Sequence, residues 1–522
     1  MNYADLFRAT LPETALELAA LLVLVVDLAF LRKVAQSVRN TSAAFLGILG
    51  CAAAAWFVPL GHEGVAGTDG LALLNTGGAA ACAQIGILAL TVLCLALLID
   101  SLFTRHVGEF VAVMLMSAAG GLIIAAAQDL IVIFIGLELL SLGLYILTAF
   151  AKKSGKSAEA AIKYYLFGGM SAAFLLFGFS YFYGLSGSTN LYEIQRALAT
   201  SGPTPLLYVA WILVVAGLGF KVAAVPFHIW APDTYEGAPA PAAAFIASVS
   251  KVASFALLVT IGMAWFAPNH VADGEISSVN NYLTSLGVTW TPLAASLLII
   301  AAASMFVGNL AALAQVSVRR LLAYSAIAHA GYVLLGVAVP PRLSGIGSTA
   351  SLHDAWGIAR HSSAAVLYYI LTYGLTTIGA FGVVGVVERA TGSDRLDSFL
   401  GLHKRNPVLA AVLLVLFLSL AGIPPLVGFW AKFNLFAAVL AAGGGSIPFM
   451  LVALAVAFSA VSLYYYLQVL KRAYVMPAPD ESPIRAHPVT LIVLVLIAAA
   501  ILVLGCLPSL LQNWITGFYP VV

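Results

Sequence analysis

Charge is scarce in this sequence. Of 522 residues only 9% are Asp, Glu, Lys or Arg and 62% are hydrophobic, whereas a water-soluble domain carries about 25% charge. Such a surface cannot be kept in water, which excludes a soluble enzyme, a nucleic-acid-binding protein and a disordered scaffold. The net charge of +2 gives no reason to expect a large anionic partner. Cysteine is nearly absent too. Cys51, Cys82, Cys94 and Cys506 each lie in an apolar run, and no Cys-x-x-Cys or Cys/His spacing exists. A disulfide framework, an iron–sulfur cluster and a zinc site therefore all lack a ligand set, so no metal and no cofactor is expected in this chain. Residues 1–13 hold Asp5, Arg8 and Glu13 and no basic n-region, so a cleaved signal peptide is not expected. What fills the chain is long apolar sequence, with a mean hydropathy of +1.02 and 46 glycines suited to close helix packing in lipid. It reads as a polytopic membrane protein.

A spanning helix needs about 20 mostly apolar residues. Fourteen such segments are read at 14–31, 42–60, 80–100, 107–126, 128–150, 160–184, 206–224, 240–263, 291–315, 319–339, 361–388, 406–440, 445–471 and 487–513. Residues 164–192, 276–318, 433–470 and 486–522 are free of charge and uniformly apolar. A barrel would show alternating runs of about ten residues instead, so the fold class is all-α. Basic residues set orientation. With the N-terminus outside, seventeen of the 24 Lys and Arg face the cytoplasm. Only Arg8, Arg196, Arg342 and Arg360 fall outside, which places both termini in the periplasm of a bacterial cell (inner) membrane protein. The basic run 152–163 reads as a solvated loop, and Asp27, followed by Arg32 and Lys33, as an interfacial acid.

The remaining basic residues, Lys221, Lys251 and Lys432, lie inside apolar spans, as does Glu138. Each such group costs roughly 2.5–3.5 kcal/mol at a helix centre, so four together cost on the order of 10 kcal/mol. One explanation is paired ions that pin helices together, although a buried pair is seldom a net stabiliser. The surroundings favour ion handling instead. Ser248 and Ser254 flank Lys251 at i−3 and i+3, and Ser141 and Tyr145 follow Glu138 at i+3 and i+7. Each set forms a polar stripe on one helix face, as a proton relay requires. Desolvation disfavours the charged form of either residue type and a nearby opposite charge restores it, so each responds to the other.

Two spans are interrupted. Residues 224–240 contain Pro226, Pro232 and Pro239, with Pro241 directly after, and residues 406–440 contain Pro424 and Pro425, where an unbroken helix cannot pass. Lys221 precedes Pro226 by five residues, near the negative end of a half-helix dipole that favours a cation. Lys432 follows Pro424 and Pro425, so its local field is expected to differ. Broken helices at mid-membrane are habitual sites of ion handling. His329 and His228 stand in apolar context as further relay candidates, and Glu109 at a helix entrance reads equally as a helix N-terminal acid. The breaks recur in similar settings. This predicts a three-helix segment at 1–106, a five-helix unit at 107–263, a second, inverted unit at 291–471 and a last helix at 487–513.

The segments GLELLSLGLYIL, GLGFKVAAVPFHIWAPDTYEGAPAPAAAFIASVSK, NLAALAQVSVRRLLAYSAIAHAGYVLLG and LAGIPPLVGFWAKF resemble the antiporter-like membrane subunits of respiratory complex I, the proton-translocating NADH–quinone oxidoreductase. Within that family the resemblance is to the subunit N group, counterpart of mitochondrial subunit two, and it covers about residues 11–475. It implies a translocase subunit in which Glu138 and Lys221 form a coupling pair, Lys251 is the central relay and Lys432 lies toward the periplasmic exit. It also implies that His329 bridges two half-channels. NAD, FMN, iron–sulfur clusters and quinone would then belong to partner subunits, and the neighbours would be subunit M and the small membrane subunits. A subunit of a multisubunit sodium/proton antiporter or of a membrane-bound hydrogenase is the first alternative, separated by what copurifies with the chain. A non-conducting structural membrane subunit is the second. The loops at 61–79 and 341–360 match no pattern of the family.

Overall fold

The computed structural model describes residues 3–58, 73–101, 103–201, 204–266, 276–338, 352–442 and 446–519. The described residues are mostly helical, with turns, an irregular segment at 475–487 and three isolated β-bridges between the helices. A short α1 (Tyr3–Ala9) precedes α2 (Leu11–Val26), which continues as one π-helical turn to Leu31. Then follow α3 (Gln36–Phe57), α4 (Gly78–Leu98), α5 (Val107–Ala126), α6 (Leu130–Thr148), α7 (Gly155–Ser186) and the short α8 (Leu191–Ser201). The first interrupted span is α9 (Pro205–Lys221) with α10 (Trp230–Gly237). Next come α11 (Ala240–Phe266), α12 (Ile276–Leu313), α13 (Val318–Ala338), α14 (Leu352–Thr391) and a short α15 (Leu402–Arg405). The second interrupted span is α16 (Pro407–Ala421) with α17 (Val427–Ala442), before α18 (Ser446–Tyr474), α19 (Pro488–Cys506) and α20 (Pro508–Gly517).

Twelve helices among the described residues are long and apolar enough to cross a membrane. The two interrupted spans bring the crossings to the fourteen read from sequence. Most of the 341–360 loop and of the 61–79 loop lies outside the described residues. The centre of the bundle is α11, α13 and α14, whose spans are almost wholly buried. Outer helices turn large apolar side chains outward, as with Leu18, Leu21 and Leu22 of α2. That is the distribution of a protein whose solvent is hydrocarbon, where only complete helices satisfy the backbone.

The breaks are where helix ends must be satisfied by other means, because the last carbonyls of a helix have no partner within it. At the end of α16, Gly422 adopts φ +86°, which glycine takes without strain. This left-handed residue lets the Ile423 N–H donate to Leu418 O (3.1 Å) and the Gly422 N–H to Ser419 O (3.0 Å), as in a Schellman cap. The carbonyls of Leu420 and Ala421 are left over. After α9, Ala223 takes φ 59°, and the turn is tied to α12 by the Val225 N–H donating to Ser304 Oγ at 2.9 Å. The indole of Trp230 donates back to Phe220 O at 3.0 Å, closing the break like a staple.

One reading of charge is refined and another corrected. Asp27, read as an interfacial acid, is buried against α3. It is 1% exposed and receives both arms of Arg39 at 2.8 and 2.6 Å, an arrangement that removes the cost of leaving a buried carboxylate alone. The basic run 152–163 is not a solvated loop. Helix α7 begins at Gly155, capped by Ser154, and presents Lys156 and Lys163 to acids of α10.

Candidate functional site

Glu138, Ser141 and Tyr145 share one face of α6, as the spacing predicts. The Lys221 ammonium, at the last residue of α9, donates to Ser141 Oγ at 2.6 Å and stands 3.8 Å from Glu138 Oε1. That carboxylate oxygen is buried and has no hydrogen-bond partner. The pair is therefore within Coulomb range but not bonded. Glu138 is half-buried, in line with the exposed Ile131, Ile135, Leu142 and Ile146 of α6, so its carboxyl opens toward whatever covers that face.

Lys251 is 4% exposed near the middle of α11. Its ammonium donates to Ala326 O of α13 at 2.8 Å and more loosely to Val222 O, just past the end of α9, at 3.4 Å. Among the described residues no carboxylate is paired with it, and carbonyl dipoles hold the charge.

His329 lies one turn beyond Ala326 on α13. Its Nδ1 meets Tyr369 Oη at 2.8 Å and its Nε2 meets Tyr466 Oη at 3.4 Å. Tyr466 is in turn hydrogen-bonded to Ser325. The Tyr373 ring lies 4.7 Å from the imidazole. A cavity of about 10 Å³ bounded by His329, Thr372, Thr376 and Ser419 separates the imidazole from the end of α16, at the lower edge of what one water needs.

Lys432 corrects an expectation. It follows the break in sequence, so its field was expected to differ from that of Lys221. Instead its side chain reaches back and donates to Leu420 O (3.2 Å) and Ala421 O (2.9 Å), the two carbonyls that the Gly422 cap leaves over. Ser459 Oγ accepts at 2.6 Å, and the ammonium lies 5.5 Å from the centre of the Tyr332 ring. Lys432 therefore also sits at the negative end of a half-helix, where a cation is favoured. Tyr332 is tied to Asn309 (3.1 Å), which accepts from Tyr465 (3.2 Å). The polar groups thus run from Glu138 through Lys221, Lys251 and His329 to Lys432.

His228 stands apart. It lies in the turn between α9 and α10, half-buried, with its Nδ1 unbonded, and no hydrogen bond of the described residues joins it to the lysines. Glu109 pairs with His106 at 3.0 Å at the start of α5. Among the described residues there is no group of three or more His, Cys, Asp or Glu arranged to hold a metal.

Sequence reading missed an ionic cluster at the end of α10. Asp233 accepts from Lys163 (2.7 Å) and Arg320 (2.6 Å), Glu236 from Lys156 (2.8 Å) and Arg320 (3.2 Å), and Arg319 pairs with Glu388. The partners lie 69 to 87 residues apart in sequence. The available signal was two acids in PDTYEG, each of which needs a counter-charge beside apolar spans.

The family model for the NADH:quinone oxidoreductase/Mrp antiporter transmembrane family matches residues 127–295 and 279–459. A relative from Acidobacterium capsulatum, NADH-quinone oxidoreductase subunit N 2, is 47% identical over 99% of this chain and 99% of its own. A subunit N 1 from Roseiflexus castenholzii is 40% identical over 79% of this chain and 74% of its own. A chain of respiratory complex I from Thermus thermophilus superposes with a TM-score of 0.72 at 30% identity, covering 96% of this chain and 98% of that one.

Proposed function

The chain belongs to the NADH:quinone oxidoreductase/Mrp antiporter transmembrane family, and from that premise we propose that it conducts protons through the bilayer. It is a membrane-arm subunit of an NADH–quinone oxidoreductase, a multi-pass membrane protein that partners other membrane-arm subunits. The redox groups belong to partner subunits of the complex. In this reading the chain carries no cofactor, both termini face the periplasm, subunit M is a neighbour, and 107–263 and 291–471 are inverted repeats with one broken helix each.

The observation that carries the proposal is the pair of ammonium groups, Lys251 and Lys432, held by backbone carbonyls with no carboxylate partner among the described residues. A fixed ion pair would lock its proton in place. Lys251 and Lys432 have only dipoles and hydroxyls, so the free energy of each charge depends on the charges nearby. Quinone reduction elsewhere in the complex disturbs the half-made Glu138–Lys221 contact. When Lys221 is drawn to Glu138, its field on Lys251 weakens and Lys251 takes up a proton. When Lys221 returns, Lys251 gives that proton through His329 toward Lys432, which discharges it to the periplasm. His228, half-buried in the turn of the first break, is a secondary relay.

Proton uptake per NADH oxidised by inverted vesicles tests this, with Lys251→Met, Glu138→Gln, Lys221→Met and Lys432→Met in the assembled complex. Each is expected to cut uptake. Undiminished uptake after neutralising all four would assign the chain a purely structural role. A purified complex without NADH–quinone activity would favour the sodium/proton antiporter or hydrogenase assembly.

A further inference from the structure

Beside the ionic cluster, a cavity of about 530 Å³ opens at the end of the bundle where α10 and α11 meet α14. At about 30 Å³ for each molecule of liquid water, it has room for more than a dozen waters. Gly382 and Gly385 of α14 contribute to its wall, where an added Cβ would press on Leu494 and on Ala240. Its charged lining is already paired: Lys156 with Glu236, Arg319 with Glu388, Arg389 with Asp100 at 2.6 Å. Asp394 is hydrogen-bonded to Ser317. An incoming anion finds each lining cation already paired, and the Asp394 carboxylate is held by a hydroxyl. Water and protons need no free counter-charge.

Below the cavity, polar groups follow α14 inward. Phe381, Thr377, Tyr373 and Tyr369 succeed Gly385 at intervals of four residues, so each neighbours the next in a row that winds gradually around α14, ending at His329, which Tyr369 contacts at 2.8 Å. Against Phe381 packs Tyr235 of α10, with ring centres 5.6 Å apart. Tyr235 is fully buried, yet its hydroxyl has no partner, and the same is true of the Thr234 hydroxyl and of Arg319 Nε. Buried donors of this kind are satisfied by internal water. Two of these groups lie on α10 and one on α13, at Arg319 of the cavity lining, where water could satisfy them.

We propose that Glu388 is the proton-loading group of this chain, taking protons from the aqueous cavity and passing them along the α14 row to His329 and Lys251. The inference rests on the proton-conducting reading above. Glu388 is the acid of the lining that lies on α14 itself, above Gly385. As a carboxylate it is held by Arg319. On accepting a proton from a cavity water it loses that ion pair, while Arg319 stays anchored by donating to Ala238 O at 2.7 Å. The proton then leaves Glu388 for the waters beside Tyr235, Thr377 and Tyr373, and the restored carboxylate recaptures Arg319. One proton is gained and one released in each cycle, with no redox change.

The test uses the assembled complex in inverted vesicles, with proton uptake per NADH followed from acidic to alkaline external pH. Glu388→Gln is expected to lower uptake about tenfold at alkaline pH, where protons are scarce, and less at acidic pH, with Glu388→Asp restoring most of it. Equal loss at every pH, or no loss, overturns the assignment. If Glu388→Gln fails to assemble, Ala151→Cys in the cavity wall supplies a second measurement. A bulky membrane-impermeant thiol reagent should inhibit uptake in that variant and leave Glu481→Cys, exposed at the same end of the bundle, unaffected. Labelling of Ala151→Cys without inhibition overturns the proposal. Loss of pumping in Lys251→Met together with normal pumping in Glu388→Gln removes the loading group alone. Normal pumping in both removes the conducting reading itself.

Discussion

Lys221 Nζ lies 2.6 Å from Ser141 Oγ and 3.8 Å from Glu138 Oε1. The hydroxyl, not the carboxylate, holds the ammonium, and one carboxylate oxygen is left buried and unbonded. The two acceptors compete for one cation, and a small displacement exchanges them. A hydrogen bond to a charged group contributes about 1.5–3 kcal/mol, so neither position is locked.

Ser141→Ala removes one competitor. Lys221 is then expected to settle on Glu138 as a closed ion pair, and coupled turnover should fall about tenfold, the lower end of that hydrogen-bond range. NADH-driven proton uptake by vesicles, with assembly checked on a native gel, measures it. Wild-type uptake in an assembled Ser141→Ala complex would show that the hydroxyl does not time the pair.

Lys432→Glu reverses the charge inside a cage built for a cation. Leu420 O and Ala421 O are acceptors at the negative end of α16, and a carboxylate there meets repulsion where the ammonium met attraction. Proton uptake should be lost at neutral pH, while Lys432→Arg keeps the fold and still fails to pump, because guanidinium does not release its proton. Pumping by either variant contradicts the role given to this cage.

Gly422→Ala probes the cap that makes the cage. A side chain at φ +86° is strained, and its Cβ would lie 3.0 Å from Lys432 Cδ. Backbone strain of this kind costs on the order of 1–3 kcal/mol. The temperature at which purified complex loses proton uptake should fall, and Lys432 should be displaced. An unchanged inactivation temperature would mean that the cap is dispensable.

Arg320→Ala separates α13 from both acids of α10. Arg320 is half-buried and shared between Asp233 and Glu236, so the loss should stay near 1 kcal/mol, the upper end for solvent-screened pairs. Assembly should survive, with thermal inactivation of the complex brought a few degrees lower. A complete failure to assemble would show that the cluster does more than hold α10 in place.

Some of this was legible in the chain and some was not. Fourteen apolar segments predicted the crossings because lipid admits little else. Pro226 and Pro424–Pro425 marked the interruptions because proline cannot donate. Lys221, Lys251 and Lys432 stood out because charge inside an apolar run demands a reason. Local pattern did not show where a long side chain points. Lys432 looks forward in sequence and reaches back in space, since a four-carbon stem spans the break. Nor did it show that Asp27 would find Arg39, or that Lys163 and Arg320 would meet at Asp233, because those contacts are made by helices folding against one another. The orphaned Tyr235 hydroxyl had no sequence signal at all.

The central claim is that Lys251 carries the proton. Lys251→Met and Lys251→Arg in the assembled complex, assayed as protons taken up per NADH oxidised by inverted vesicles, test it most directly. The account predicts that both variants assemble and that both lose uptake, the arginine because it keeps the charge but not the proton exchange. Wild-type proton uptake per NADH in the assembled Lys251→Met complex would contradict it.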